Sequence, residues 1–182
     1  MALTSSALIT ERHEGLLDRV WVAGVNPGEI LFSHVVTQFL VMFGQTVLLL
    51  IAMFWIFDLE CKGDMFLVIF LSMLQGLNGM CFGFVISAVC ELERNAIQLS
   101  LGSFYPTLLL SGILWPLEGM PAALIKMAEL LPLTMATTAL RSIMAKNWSI
   151  TEPVVYYGFI STLVWICIFL TVSLVLLKAK RG

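Results

Sequence analysis

The sequence predicts an all-α integral membrane protein of four transmembrane helices, and two observations carry that prediction. Of its 182 residues, 59% are hydrophobic and 12% charged, with a mean hydropathy of +0.96, whereas soluble domains carry roughly a quarter charged residues. A chain so poor in charge cannot clothe an apolar core in a polar surface, so lipid is the solvent that fits it. The second observation is four runs free of Asp, Glu, Lys and Arg, at 31–57, 65–90, 97–115 and 154–177. Each reaches or approaches the roughly 20 helical residues that cross a hydrocarbon core.

Ahead of the first run, Ile9, His13, Leu16, Leu17, Val20 and Trp21 recur at helical spacing, with Glu11, Arg12, Glu14, Asp18 and Arg19 mostly on other faces. This predicts an amphipathic surface helix over about 5–22. Asn26, Pro27 and Gly28 end it before the chain turns into the membrane. In the second run Gly79, Gly83 and Ser87 repeat every four residues, beside a stripe of Ser72 and Gly76. Small residues in register let backbones approach, so this is the predicted helix-packing face. Pro106 is expected to bend the third run, because it removes one backbone hydrogen bond.

The stretch 116–153 is mixed, with Lys126, Glu129, Arg141, Lys146 and Glu152 interrupting apolar residues. Pro121 suits a first helical position, and the positions from Ala122 to Leu131 before Pro132 are too few to cross a membrane. A re-entrant or interfacial helix pair over about 116–146 is therefore expected before the last span. Gln38, Gln45, Gln75, Asn78 and Gln98 lie within the runs. Interhelical hydrogen bonds are the expected fate of these amides, ahead of substrate contact.

Orientation follows from the Lys/Arg bias. Arg12, Arg19, Arg94, Lys178, Lys180 and Arg181 fall on one side, and Lys62, Lys126, Arg141 and Lys146 on the other. The richer side is cytosolic, which puts both termini in the cytosol. The same topology sets the sequon Asn147-Trp148-Ser149 outside, making Asn147 a candidate for glycosylation.

Several function classes are disfavoured. No Gly-x-x-x-x-Gly-Lys-Ser/Thr loop occurs in the sequence, so nucleotide hydrolysis is expected of a partner domain, and no catalytic residues are assigned. His13 and His34 stand far apart, and Cys61, Cys81, Cys90 and Cys167 lack metal-ligand spacing, so no metal site is expected. A net charge of −2 gives no basic footprint for nucleic acid. The spans carry no Asp, Glu, Lys or Arg for proton coupling, leaving only His34 near a span start.

Two stretches resemble the type-2 permease domain of ABC exporters, the fold of the G and H subfamilies and of many bacterial export permeases. The first is Glu11-Arg12-His13-Glu14-Gly15-Leu16-Leu17-Asp18-Arg19, followed by Ala23-Gly24-Val25-Asn26-Pro27-Gly28-Glu29-Ile30. The second is Leu110-Ser111-Gly112-Ile113-Leu114-Trp115-Pro116-Leu117-Glu118-Gly119-Met120-Pro121, then Leu131-Pro132-Leu133-Thr134 and Leu140-Arg141. The resemblance implies that the first stretch is a cytosolic coupling helix, in which Glu11, Arg12, Glu14, Gly15, Asp18 and Arg19 meet a nucleotide-binding domain. It implies that Ile113 and Leu114 lie near an outer gate, with Glu118 and Arg141 at the outer rim.

By the same resemblance, residues 1–182 form a partial permease domain aligned with the third to sixth of six spans. The first span, most of the second and the nucleotide-binding domain would lie outside this sequence. The implied function is the membrane part of an ATP-driven exporter of lipid-like or other apolar cargo, multi-pass in the plasma membrane. ATP and Mg would be held by the partner domain, fused upstream or separate, and a second permease half would complete a homo- or heterodimer. The alternatives are a non-transporting four-helix scaffold or assembly partner, or a non-functional fragment of an exporter.

Overall fold

The computed structural model describes residues 4–6, 9, 27–58, 63–90, 92–113 and 119–179, and within them the regular structure is helical, with no strand. The helices are α1 (Pro27–Ile51), extended by a π-helical turn (Ala52–Ile56), α2 (Met65–Val89), α3 (Glu93–Leu110), α4 (Ala122–Glu129), α5 (Pro132–Lys146) and α6 (Pro153–Ala179). Three segments are long and apolar enough to cross a membrane: Val36–Ile56, Met65–Val89 and Pro153–Leu176. The pair α4 and α5, bent by 84° at Leu130 and Leu131, is either a broken fourth span or a re-entrant element. The all-α membrane class thus holds.

Helix ends follow from local chemistry. Proline opens α1, α5 and α6, where its missing N–H costs nothing and its fixed φ is already helical. Asp64 caps α2 by accepting a hydrogen bond from the Phe66 amide at 3.2 Å. Asn147 ends α5 in the left-handed region, at φ 55 and ψ 37, a conformation asparagine tolerates better than most residues.

Two expectations are corrected. The third apolar run is not a helix over 97–115, because α3 begins at Glu93 and stops at Leu110. Glu93 in its first turn favours the earlier start through the helix dipole, and Gly112, at φ 75, turns the chain left-handed just beyond the Ser111 C-cap. Glu93, Arg94 and Asn95 thereby enter the helix, and α3 is not among the three clearly membrane-length apolar segments. Pro121 is likewise not the first helical residue. Its ψ of 145 is extended, so it is the N-cap of α4, and its carbonyl accepts from the amides of Leu124 and Ile125.

The core lies where α2, α5 and α6 meet, with α2 against α6 and α5 against α6 as the most extensive contacts. Leu50, Val68, Leu71, Leu74, Ala139, Ile143, Val155 and Phe159 form it. Ring contacts of Phe70 with Phe159 and of Phe82 with Phe169 extend the α2–α6 seam. Lipid tails are as apolar as leucine, so these helices gain from close packing more than from leaving water. Gly158 shows this: a Cβ there would collide with the Ala139 Cβ and lie 3.0 Å from the Met135 carbonyl oxygen.

The outward surface is apolar to a degree that water would not support. Trp55 is 88% exposed, Leu130 73% and Leu48 71%. Short links make α1, α2 and α3 successive antiparallel neighbours. One end of the bundle therefore gathers exposed Trp55, Phe57, Phe66, Tyr156 and Tyr157, the aromatic belt of a membrane–water interface. Lys146 lies over the Trp148 ring at 4.6 Å at that same end.

Candidate functional site

Between α1 and α2 lies a cleft of about 470 Å³, lined by Gln38, Gln45, Thr46, Ser72, Gly76 and Gly79 among others, with Thr4 at one side. The α2 small-residue stripe forms one wall, and Gly76 receives the Met42 side chain, whose Sδ would stand 2.9 Å from an added Cβ. The Thr4 hydroxyl donates to Gln38 Oε1 at 3.3 Å, and Thr46 satisfies its own hydroxyl on the Met42 carbonyl at 2.9 Å. Gln45, midway along the apolar segment Val36–Ile56, is exposed. The lining offers amides and hydroxyls without a charge, so it can hydrogen-bond a polar group at membrane depth but cannot neutralise an ion.

A second polar feature is internal. Gln75 Oε1 and Asn78 Oδ1 on α2, Ser100 Oγ on α3 and Thr134 Oγ1 on α5 are buried without a hydrogen-bond partner, on three helices that contact one another. Each such atom costs about 1–3 kcal/mol relative to a satisfied one. The expected interhelical bonding is therefore met at Gln38, through Thr4, and not at Gln75 or Asn78 through their oxygens. Gln98 is exposed on α3.

At the aromatic end, α3 closes in a compact cap. The Ser111 amide donates to the Thr107 carbonyl and its hydroxyl to the Leu108 carbonyl, both at 2.9 Å, and the residue is 1% exposed. Gly112 follows with its carbonyl facing α5, where Arg141 Nη2 donates to it at 3.2 Å. Ile113, next in the chain, is 44% exposed.

Of the residues singled out from sequence, Gly79 faces the cleft, and Gly83 and Ser87 are buried. Ile113 belongs to the short segment after α3, in which Arg141 bonds the Gly112 carbonyl. Asn147 is exposed at the end of α5. Glu11, Arg12, Glu14, Gly15, Asp18, Arg19, Leu114 and Glu118 lie outside the described residues. Among the described residues no cluster of three or more His, Cys, Asp or Glu could hold a metal. Sequence reasoning missed Thr46, Ser100 and Thr134, whose hydroxyls carry no distinguishing spacing. It also missed Gly158, for which the pair Gly158 and Thr162 at four-residue spacing was a usable signal.

The chain matches the ABC-2 type transporter family over residues 1–145. It is 36% identical over 181 residues to ABC transporter G family member 20 of Dictyostelium discoideum, covering 99% of this chain and 25% of that protein. To ABC transporter G family member 23 of the same organism it is 30% identical over 186 residues, covering 100% of this chain and 26% of the relative. To the probable multidrug ABC transporter permease YbhR of Escherichia coli (strain K12) it is 27% identical over 150 residues, 82% of this chain and 41% of that permease. The chain thus spans about a quarter of the length of the Dictyostelium relatives. No solved structure matches it. The chain belongs to the ABC-2 type transporter family, as a multi-pass membrane domain.

Proposed function

We propose that this chain forms part of the membrane pathway of an ATP-driven exporter. In this reading a nucleotide-binding domain, fused upstream or separate, holds ATP and Mg and performs the hydrolysis. A second permease half, identical or different, completes the pathway. The observation that carries the reading is the family match over residues 1–145, in a chain whose three clearly membrane-length segments contain no Asp, Glu, Lys or Arg. With no Asp, Glu, Lys or Arg in those three segments, ion coupling has little to act through there, and the family match favours ATP as the energy source.

Glu11, Arg12, Glu14, Gly15, Asp18 and Arg19 belong to the coupling helix in this account and transmit movement of the nucleotide-binding domain to α1. Ile113 and Leu114 form the outer gate, and Gly79, Gly83 and Ser87 the packing face that lets α2 shift against its neighbours. Both termini are cytosolic, the membrane is the plasma membrane, and Asn147 is external and glycosylated.

The cargo is lipid-like or otherwise apolar with a polar end. What supports this is the uncharged lining of the cleft, where Gln38, Gln45 and Ser72 can bond a headgroup while α1 presents Leu40, Val41 and Leu48 to a tail. The test is reconstitution of the full-length protein, with its ATPase, in phospholipid vesicles containing a fluorescent phospholipid analogue. ATP-dependent transfer between leaflets is expected. Movement of small hydrophilic ions alone would overturn the cargo assignment, and transfer independent of ATP would overturn the exporter reading.

A further inference from the structure

The hydrogen bond from Arg141 Nη2 to the Gly112 carbonyl joins two parts of the chain 29 residues apart. Its two ends differ in mechanical character. Arg141 rides on α5, which is locked to the bundle by fully buried Ala139 and Ile143 and by the close approach of Gly158. Gly112 belongs to the segment that leaves α3, and at φ 75 its backbone occupies the region most residues avoid. A helix C-terminus leaves carbonyls without intrahelical donors and carries partial negative charge, so a guanidinium is a suitable partner for it. Ser111 supplies the other part of this cap, through its amide and hydroxyl.

We infer that Arg141 is a positioning residue, a latch that ties the end of α3 to the bent α4–α5 pair so that Ile113 is held in place by α5. The inference rests on the exporter reading for its consequence in transport, but the latch itself is a statement about geometry. With the latch intact, α3 can change its exposure at this end only if α5 moves with it or the bond breaks.

The test uses the full-length protein in its native membrane, with Ile113→Cys as a reporter for a membrane-impermeant maleimide and the parent protein as background. In the absence of nucleotide, Arg141→Ala is expected to raise the labelling rate at position 113, already 44% exposed in the latched state, by about twofold or more, as loss of a charge-assisted hydrogen bond frees the segment. Arg141→Lys, which keeps the charge but not the planar fork, is expected to fall between the two. Should Arg141→Ala fail to reach the membrane, Arg141→Lys and Arg141→Gln carry the comparison. Unchanged labelling across the folded variants overturns the latch, whatever the protein transports.

Transport then separates the two claims. In the Arg141→Ala protein, ATP hydrolysis is expected to persist while ATP-driven lipid transfer falls by about tenfold or more, an uncoupling that a merely structural contact would not produce. An Arg141→Ala protein that transfers lipid at the parent rate overturns the latch's role in transport. A parent protein without ATP-driven transfer overturns the exporter reading and leaves the labelling result to decide the latch.

Discussion

Replacing Gly158 with alanine tests the packing of α5 on α6 more sharply than any larger change. The added Cβ would fall within collision distance of the Ala139 Cβ and 3.0 Å from the Met135 carbonyl oxygen, while carbon atoms pack comfortably only at about 3.5–4.0 Å. Both obstacles are rigid, so the helices must separate or tilt, and overpacking of this kind costs about 1–3 kcal/mol. Alanine also returns up to about 1 kcal/mol of helix propensity, which would blur the result if measured alone. Gly102 supplies the control, since a Cβ there meets nothing within 4 Å. The difference between Gly158→Ala and Gly102→Ala isolates the steric term at about 1–3 kcal/mol, and each kcal/mol corresponds to about 2–4 °C in Tm for a chain of this size. Thermal unfolding in detergent, followed by tryptophan fluorescence, reads it directly. Adding Ala139→Gly to Gly158→Ala should recover part of the loss, giving a coupling of about 0.5 kcal/mol or more in a double-mutant cycle. Equal Tm shifts for the two alanine variants would refute the packing argument.

Further outcomes are expected at four positions. Gly76→Ala should cost less than Gly158→Ala, because the obstacle at 2.9 Å is the flexible Met42 thioether, and the same melting experiment compares them. Thr134→Val should raise the unfolding midpoint by the equivalent of about 1 kcal/mol or more, since it removes a buried unpartnered hydroxyl. Thr162→Val should be near neutral, because that hydroxyl bonds only the Gly158 carbonyl of its own helix. At Asn147, with φ 55, glycine should be tolerated or slightly stabilising in unglycosylated protein, and valine should cost about 1–2 kcal/mol. In a host that glycosylates, Asn147→Gln should abolish an endoglycosidase-sensitive mobility shift of the parent protein.

Much of the architecture was legible because charge and proline are strong signals in a membrane chain. The ends of α2 lie at the charges Asp64 and Glu91, and Pro27, Pro132 and Pro153 stand at helix starts, where a missing amide is harmless. The bend between α4 and α5 follows from Pro132 and from the shortness of the segment before it. What escaped the sequence depended on tertiary contacts or on a single backbone angle. The end of α3 is decided at Gly112, a glycine among thirteen, and nothing in an apolar run distinguishes one that turns left-handed from one that continues a helix.

The same limit applies to the polar residues. Gln38, Gln45, Gln75, Asn78 and Gln98 read alike, yet Gln38 finds Thr4, Gln45 faces a cleft and Asn78 is buried with its oxygen unpaired. Which outcome each meets depends on what the facing helix presents at that depth. The Arg141–Gly112 bond was hidden for the same reason, although both residues lay in a stretch whose family resemblance was visible.

The most direct test of the central claim is a crosslink at Asp18, in the stretch assigned to coupling. With Asp18→Cys in the full-length protein in native membranes, a short bifunctional reagent is expected to join that position to a polypeptide segment bearing a nucleotide-binding phosphate loop. The yield should change when ATP or a non-hydrolysable analogue is added. A folded, membrane-inserted protein that shows no such crosslink under any nucleotide condition would contradict the account and favour a membrane scaffold with no transport cycle.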